Sequence, residues 1–213
     1  AQQIGITTTS AAKAGFLTSL YLVLVPIFGL FLGKKVNLWA WIGVVLALVG
    51  VWFLSVNLEM TVQMGDVMLL IGALFWAMQI LALDRFTARI DALELAFGEF
   101  LTTSILGAIV SLATENGFFT VNPSAVAPLL YSGIVAVGIG FTLQVCGQSK
   151  LDPALASLIM SLEAVFALFG GMLFLGERLS PREWLGCAVM LAAVFLVQLK
   201  GQQQKKPEAE NLS

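Results

Sequence analysis

The stretch "FLGKKVNLWAWIGVVLALVGV" (residues 31–51) returns 143 residues later as "FLGERLSPREWLGCAVMLAAV" (residues 174–194). Without a gap, Phe31, Leu32, Gly33, Trp41, Gly43, Leu48 and Val51 meet Phe174, Leu175, Gly176, Trp184, Gly186, Leu191 and Val194. Seven identities in 21 positions exceed what shared apolar composition gives, and they mark an internal repeat. The second copy has three apolar segments ahead of its matching pair, whereas the first has none. This predicts a chain lacking about three helices, on the order of 80 residues, from a ten-span whole made of two five-helix repeats. Five is odd, so the two repeats sit upside down relative to each other. Inverted repeats are a mark of secondary transporters, whose substrate site lies at the repeat interface near mid-membrane.

The composition sets this repeat in lipid. The chain is 59% hydrophobic and 11% charged, against about 25% charged in a soluble domain. Too little polar surface is available to cover a globule in water, so the bilayer is a partner. The net charge of −2 and the lack of a basic block with interleaved aromatics give nucleic-acid binding no support. There is no histidine, which removes the usual zinc, haem and Ser-His chemistry, and neither a metal nor a cofactor is expected. Cys146 and Cys187 lie in apolar runs and read as small buried residues.

Charges punctuate the chain at nearly the spacing of a membrane span, about 20 residues for roughly 30 Å of hydrocarbon. Apolar runs lie between Lys13 and Lys34, Lys35 and Glu59, and Asp66 and Asp84. Others run from Leu93 to Ala113, Ala125 to Cys146, Pro153 to Leu175 and Pro181 to Leu199. They are continuous rather than alternating, which excludes barrel strands. The fold class is therefore all-α, a polytopic bundle of seven transmembrane helices. Asp66 reads as a helix N-cap, and Pro153 and Pro181 as first helical residues. The predicted organisation is residues 1–56 as the end of the first repeat, 57–64 as an outer linker, 65–199 as the complete second repeat and 200–213 as a disordered tail.

Alternate loops differ in basic content. One set holds Lys34, Lys35, Arg85, Arg89, Lys150, Lys200, Lys205 and Lys206, and the other Lys13, Arg178 and Arg182. The positive-inside rule then places the C-terminal tail in the cytoplasm. The loops at 57–66 and 114–124 carry no Lys or Arg, as outer loops should, and Trp39, Trp41 and Trp184 fall near span ends.

Four stretches carry a resemblance to the EamA-type members of the drug/metabolite transporter superfamily. "AKAGFLTSLYLVLVPIFGLFLGKK" (12–35) resembles the fourth helix of the family and "GDVMLLIGALFWA" (65–77) the start of its second repeat. "FTLQVCGQSKLDPALASLIMSLEAVFALFGGMLFLGERLS" (141–180) resembles the eighth and ninth helices, and "EWLGCAVMLAAVFL" (183–196) the tenth. The resemblance implies a ten-helix basket with a central cavity that moves small metabolites or drugs, often outward, in a bacterial inner membrane. Lys34 departs from the glutamate usual in the first-repeat loop, and Ala164 from the proline often found after the ninth-helix glutamate.

Glu163 is the single charge between Asp152 and Glu177 and sits mid-span. An ionised carboxylate there costs about 2.5–3.5 kcal/mol on insertion scales, and desolvation favours the neutral acid. Two readings stand: a group that takes up and releases a proton as a cavity opens, or a protonated acid bonded to a neighbouring helix. Trp76 lies mid-span and either stacks on a flat substrate or packs. Gln79, Gln144, Ser157 and Ser161 are further candidates for a substrate or proton pathway, with helix packing as the alternative for each. Glu99, about 9 Å into its span, is a candidate for an inner vestibule, while Glu94 reads as interfacial. Ala40, Gly43, Ala47 and Gly50 stripe one helix face and read as a packing seam, within the chain or in a homodimer.

An intramembrane enzyme is disfavoured. There is no mid-span lysine for retinal, no histidine for a serine protease, and Asp66 and Asp84 lie at opposite ends of one span. The expected function is secondary transport of a small organic solute by alternating access. A non-coupled channel and a non-transporting scaffold or receptor remain as alternatives.

Overall fold

The computed structural model describes residues 1–8, 11–54, 63–114, 123–175 and 178–210. The expected outer loops at 57–66 and 114–124 and the Gly176–Glu177 ending lie mostly outside these residues. Among the described residues every regular element is helical. α1 is Gln2–Ile6, α2 Ala11–Ser19, α3 Tyr21–Phe31, α4 Leu38–Leu54, α5 Met64–Thr87 and α6 Ala92–Thr114. α7 is Pro123–Leu130, continued by a π-helical stretch, Tyr131–Phe141, into α8, Thr142–Gln148. α9 is Pro153–Ser161 and α10 Glu163–Gly170, the latter followed by a π-helical turn, Gly171–Leu175. α11 is Pro181–Glu210.

Among the described residues six helical segments are long and apolar enough to cross a membrane: Lys13–Phe31, Met64–Thr87, Ala92–Thr114, Pro123–Gln148, Pro153–Leu173 and Pro181–Lys200. The remaining expected span is α4, an apolar helix of 17 residues. α11 continues through the polar stretch expected as a tail, where Gln, Lys, Ala and Glu are good helix formers.

Helix ends follow local chemistry. Asp152 Oδ1 accepts from the Ala154 N–H at 2.9 Å, with Pro153 opening α9. Ser180 and Glu183 form a capping box at α11, Glu183 Oε2 accepting from the Ser180 N–H at 2.7 Å. Gly33 closes α3 with φ +77°, a left-handed conformation open to glycine. Asp66 is not the N-cap that its place in the sequence suggests. α5 begins two residues earlier, so Asp66 lies in its first turn and its carboxylate reaches back to the Gln63 N–H at 2.9 Å.

The chain divides into two compact units, Ala1–Leu81 with Asp152–Ser213, and Ala82–Leu151. The core of the larger unit joins α3, α4, α5, α9 and α11 through Leu22, Val25, Val44, Ala47, Ala73, Ala77, Ile80, Leu158 and Ala193. Its longest interface is α4 against α11. The stripe Ala40, Gly43, Ala47 and Gly50 is buried, and α11 packs against Gly43 and Gly50, so the seam serves packing within the chain. A Cβ on Gly43 would strike Val197 and lie 3.6 Å from the Ala193 carbonyl, while one on Gly186 would lie 2.8 Å from Leu54 and 2.9 Å from the Gly50 carbonyl. Under the 143-residue shift Gly43 corresponds to Gly186, Gly50 to Ala193 and Leu54 to Val197. The contacts are therefore reciprocal, as a two-fold axis between equivalent surfaces requires. Partners fall in number on α11 as they rise on α4, so these two helices run antiparallel.

Cations close both ends of this pair. The Arg182 guanidinium lies 4.8 Å from the Trp52 ring centroid, and Lys200 Nζ 5.4 Å from that of Trp39. Each end thus pairs a cation from α11 with an aromatic ring from α4.

In the same unit Lys13 Nζ and Asp66 Oδ2 form an ion pair at 2.6 Å, with side chains only 13% and 7% exposed. It ties α2 to α5. Replacing Lys13 by alanine and Asp66 by asparagine, singly and together, is expected to give a coupling energy of about 1–2 kcal/mol. In detergent melts this is about 3–6 °C beyond additivity; additive single effects would mean that the pair contributes nothing.

The smaller unit packs α6 against α8 around Leu83, Ala96 and Val145. Over its most apolar eighteen residues, Pro123–Gln148 buries none. Leu106, Ile109 and Leu112 of α6 and Leu129, Ile134 and Ile139 of the following helix are exposed. Such helices are apolar on faces that touch no protein in this unit, which suits hydrocarbon as solvent.

Candidate functional site

Two spans of the larger unit each tighten at one residue in the middle while staying helical, and these short breaks in the i→i−4 bonding match. α2 ends at Ser19 and α3 starts at Tyr21; α9 ends at Ser161 and α10 starts at Glu163. The residues between, Leu20 and Leu162, have φ −62°, ψ −14° and φ −64°, ψ −12°. Each donates its N–H three residues back, Leu20 to the Leu17 carbonyl at 3.2 Å and Leu162 to the Ile159 carbonyl at 3.1 Å. The sequences at the breaks are "SLYLV" (19–23) and "SLEAV" (161–165), related by a shift of 142. Beyond them the shift becomes 143. The second copy therefore holds one extra residue between the break and Phe174, in the segment where the helix widens to a π turn at Gly171–Leu175. A π turn closes over five residues instead of four and so absorbs a one-residue insertion.

Under the 142-residue shift Tyr21 aligns with Glu163, and each is the first residue after its break. The Tyr21 ring is buried in the main core. Glu163 itself is exposed and makes no hydrogen bond or ion pair among the described residues.

The other candidates in this unit are placed differently. Ser157 and Ser161 are buried, and their hydroxyls donate to the carbonyls of Ala154 at 2.8 Å and Leu158 at 2.6 Å in their own segment. Both hydroxyls are thereby committed to backbone. Trp76 is half-buried against the main core, and its indole N–H donates to Gln2 Oε1 at 3.4 Å. Gln79, three residues on, is half-buried on α5.

Gln144 and Glu99 belong to the smaller unit. Gln144 adjoins Val145 of the α6–α8 core and is half-buried, its Nε2 buried with no hydrogen-bond partner among the described residues. Gln148, four residues on and so on the same face, is buried and was not among the sequence candidates. Glu99 is half-buried on α6, whereas Glu94 is exposed. Five of the seven sequence candidates therefore lie in the larger unit and two in the smaller. Cys187 is buried and Cys146 half-buried, both as free thiols.

Residues 1–56 and 63–199 match the EamA-like transporter family. An uncharacterized transporter of Archaeoglobus fulgidus is 33% identical over 200 residues, covering 93% of this chain and 64% of the relative. The threonine/homoserine exporter RhtA of Escherichia coli is 30% identical over 167 residues, covering 76% and 56%. The uncharacterized inner membrane transporter YedA of Escherichia coli is 29% identical over 188 residues, covering 82% and 59%. This chain thus spans less than two thirds of the length of these relatives. A solved crystal structure shares the fold, with a TM-score of 0.76 at 21% identity over 92% of this chain and 71% of the other. With a family match over residues 1–56 and 63–199, the chain belongs to the EamA-like transporter family.

Proposed function

We propose that this chain acts in secondary transport of a small organic solute across a bacterial inner membrane, by alternating access, with Glu163 as the group that binds a proton or the substrate. The observation that carries this reading is the pair of matched helix breaks that sets Tyr21 and Glu163 at equivalent places in the two copies. The tightened turns mark equivalent points of the two spans, and an exposed carboxylate beside one of them offers an ionisable group within the bilayer. α4, at the short end of the length range for a span, is counted as the seventh. In this reading residues 1–56 end a first five-helix repeat and 65–199 form the second, and the basic loops put the C-terminus in the cytoplasm. Trp76 and Gln79 extend this site within the larger unit, Gln144 and Glu99 are separate candidates within the smaller one, and Ser157 and Ser161 act through packing. Outward transport of amino acids is the first activity to test, because RhtA is named for it.

The test is solute flux with the protein in liposomes, using radiolabelled amino acids and then a broader panel of metabolites. The expected result is saturable uptake with counterflow, changed by an imposed pH gradient. Flux that neither saturates nor exchanges would identify a channel instead. No flux for any solute, with a partner protein retained on pull-down, would identify a scaffold or receptor.

A further inference from the structure

One end of the larger unit is basic and apolar at once. α3 finishes in the exposed side chains of Phe31 and Leu32, the chain turns through Gly33, and α4 begins at the exposed Leu38. Between them Lys35 is exposed and Lys34 half-buried. Both lysines line a crevice with Pro153 and Ala154 of the first turn of α9. Lys200 stands over the Trp39 ring at the same end. The acid in the crevice is Asp152, and its Oδ1 is engaged with the Ala154 N–H.

A free anion would use the lysines but gain nothing from three large apolar side chains flanking them. A phospholipid uses both. Its phosphate sits at the level where lysines and tryptophans gather, and its acyl chains begin where Phe31, Leu32 and Leu38 project. We propose that this end of the larger unit binds an anionic phospholipid of the surrounding bilayer, its phosphate held by Lys34 and Lys35 and its acyl chains lying on Phe31, Leu32 and Leu38. The proposal does not depend on what the protein transports.

Native mass spectrometry of the full chain in detergent tests it, with equimolar phosphatidylglycerol and phosphatidylcholine of matched acyl chains. Phosphatidylglycerol should be retained preferentially, the preference falling as salt rises. Each lysine changed to glutamine should reduce it about fivefold, and Lys34→Arg/Lys35→Arg should keep it. Should Lys34→Gln/Lys35→Gln fail to fold, Lys35→Gln alone carries the test, since that side chain is exposed. Equal retention of the two lipids by the unmodified chain would overturn the proposal. So would an unchanged preference in Lys35→Gln, or loss of bound phosphatidylglycerol to millimolar inorganic phosphate at constant ionic strength.

Discussion

Gly186→Val is expected to lower the melting temperature in detergent by about 10 °C, a loss of about 3–4 kcal/mol. The reason lies in what surrounds the missing side chain. A Cβ on Gly186 would stand 2.9 Å from the Gly50 carbonyl oxygen, which is backbone and cannot turn aside. It would also meet Leu54 at 2.8 Å, and valine adds two methyl groups beyond that point. α4 and α11 would have to separate. Between helices in lipid there is no hydrophobic effect to restore the contact, so close packing of small residues supplies most of the association. The same separation would open the interfaces with Met190 and Val197, which lie in two different core clusters. Gly15→Ala is the control, because a Cβ there meets nothing within 4 Å. Thermal unfolding followed by intrinsic fluorescence separates the two outcomes. Equal melting of Gly186→Val and Gly15→Ala would show that α4 and α11 adjust at no cost.

The seam was legible in the sequence and the breaks were not. Small residues at Ala40, Gly43, Ala47 and Gly50 recur at helical spacing in an apolar run, and that pattern has few uses other than close approach. Spans were legible for a similar reason, since an uncharged run of about 20 residues leaves lipid as the natural solvent. Leu20 and Leu162 carry no such signal. Leucine favours helix, no proline or glycine adjoins either one, and the departure amounts to some 30° in ψ, which packing in the folded chain decides. Asp66 was misplaced by two residues because an aspartate suits both the N-cap and the first turn of a helix.

The candidate site divides in the same way. Glu163 and Trp76 stood out because each is costly or oversized in mid-span. Tyr21 did not, since a tyrosine raises no flag in an apolar run and the 143-residue shift that aligns Phe31 with Phe174 sets Tyr21 against Ala164. Its match to Glu163 emerges when the extra residue of the second copy is assigned to the π turn at Gly171–Leu175. Ser157 and Ser161 share one face at helical spacing, but spacing says nothing of hydroxyl partners, and their own carbonyls take both.

Glu163→Gln is expected to reduce solute flux in liposomes by about 10–100-fold, the equivalent of one charge-assisted hydrogen bond, and to abolish its response to an imposed pH gradient. Glutamine keeps the size and the hydrogen-bonding capacity of the side chain and removes the charge and the proton. If the carboxylate serves as structural glue in its protonated form, glutamine replaces it and flux is unchanged. If it binds the proton or a cationic part of the substrate, nothing nearby takes its place. Tyr21, aligned with it under the 142-residue shift, is a phenol, and among the described residues no ion pair is made with Glu163. The fold should tolerate the change, since the Glu163 side chain is exposed in its unit and removing a carboxylate from the span lowers the cost of holding it in lipid. Melting temperature should therefore stay level or rise while flux falls, a combination that loss of structure cannot produce. Glu163→Asp, which retains the charge but shortens the arm, should recover part of the flux together with its pH response. Unchanged pH-dependent flux in Glu163→Gln would remove Glu163 from the coupling step.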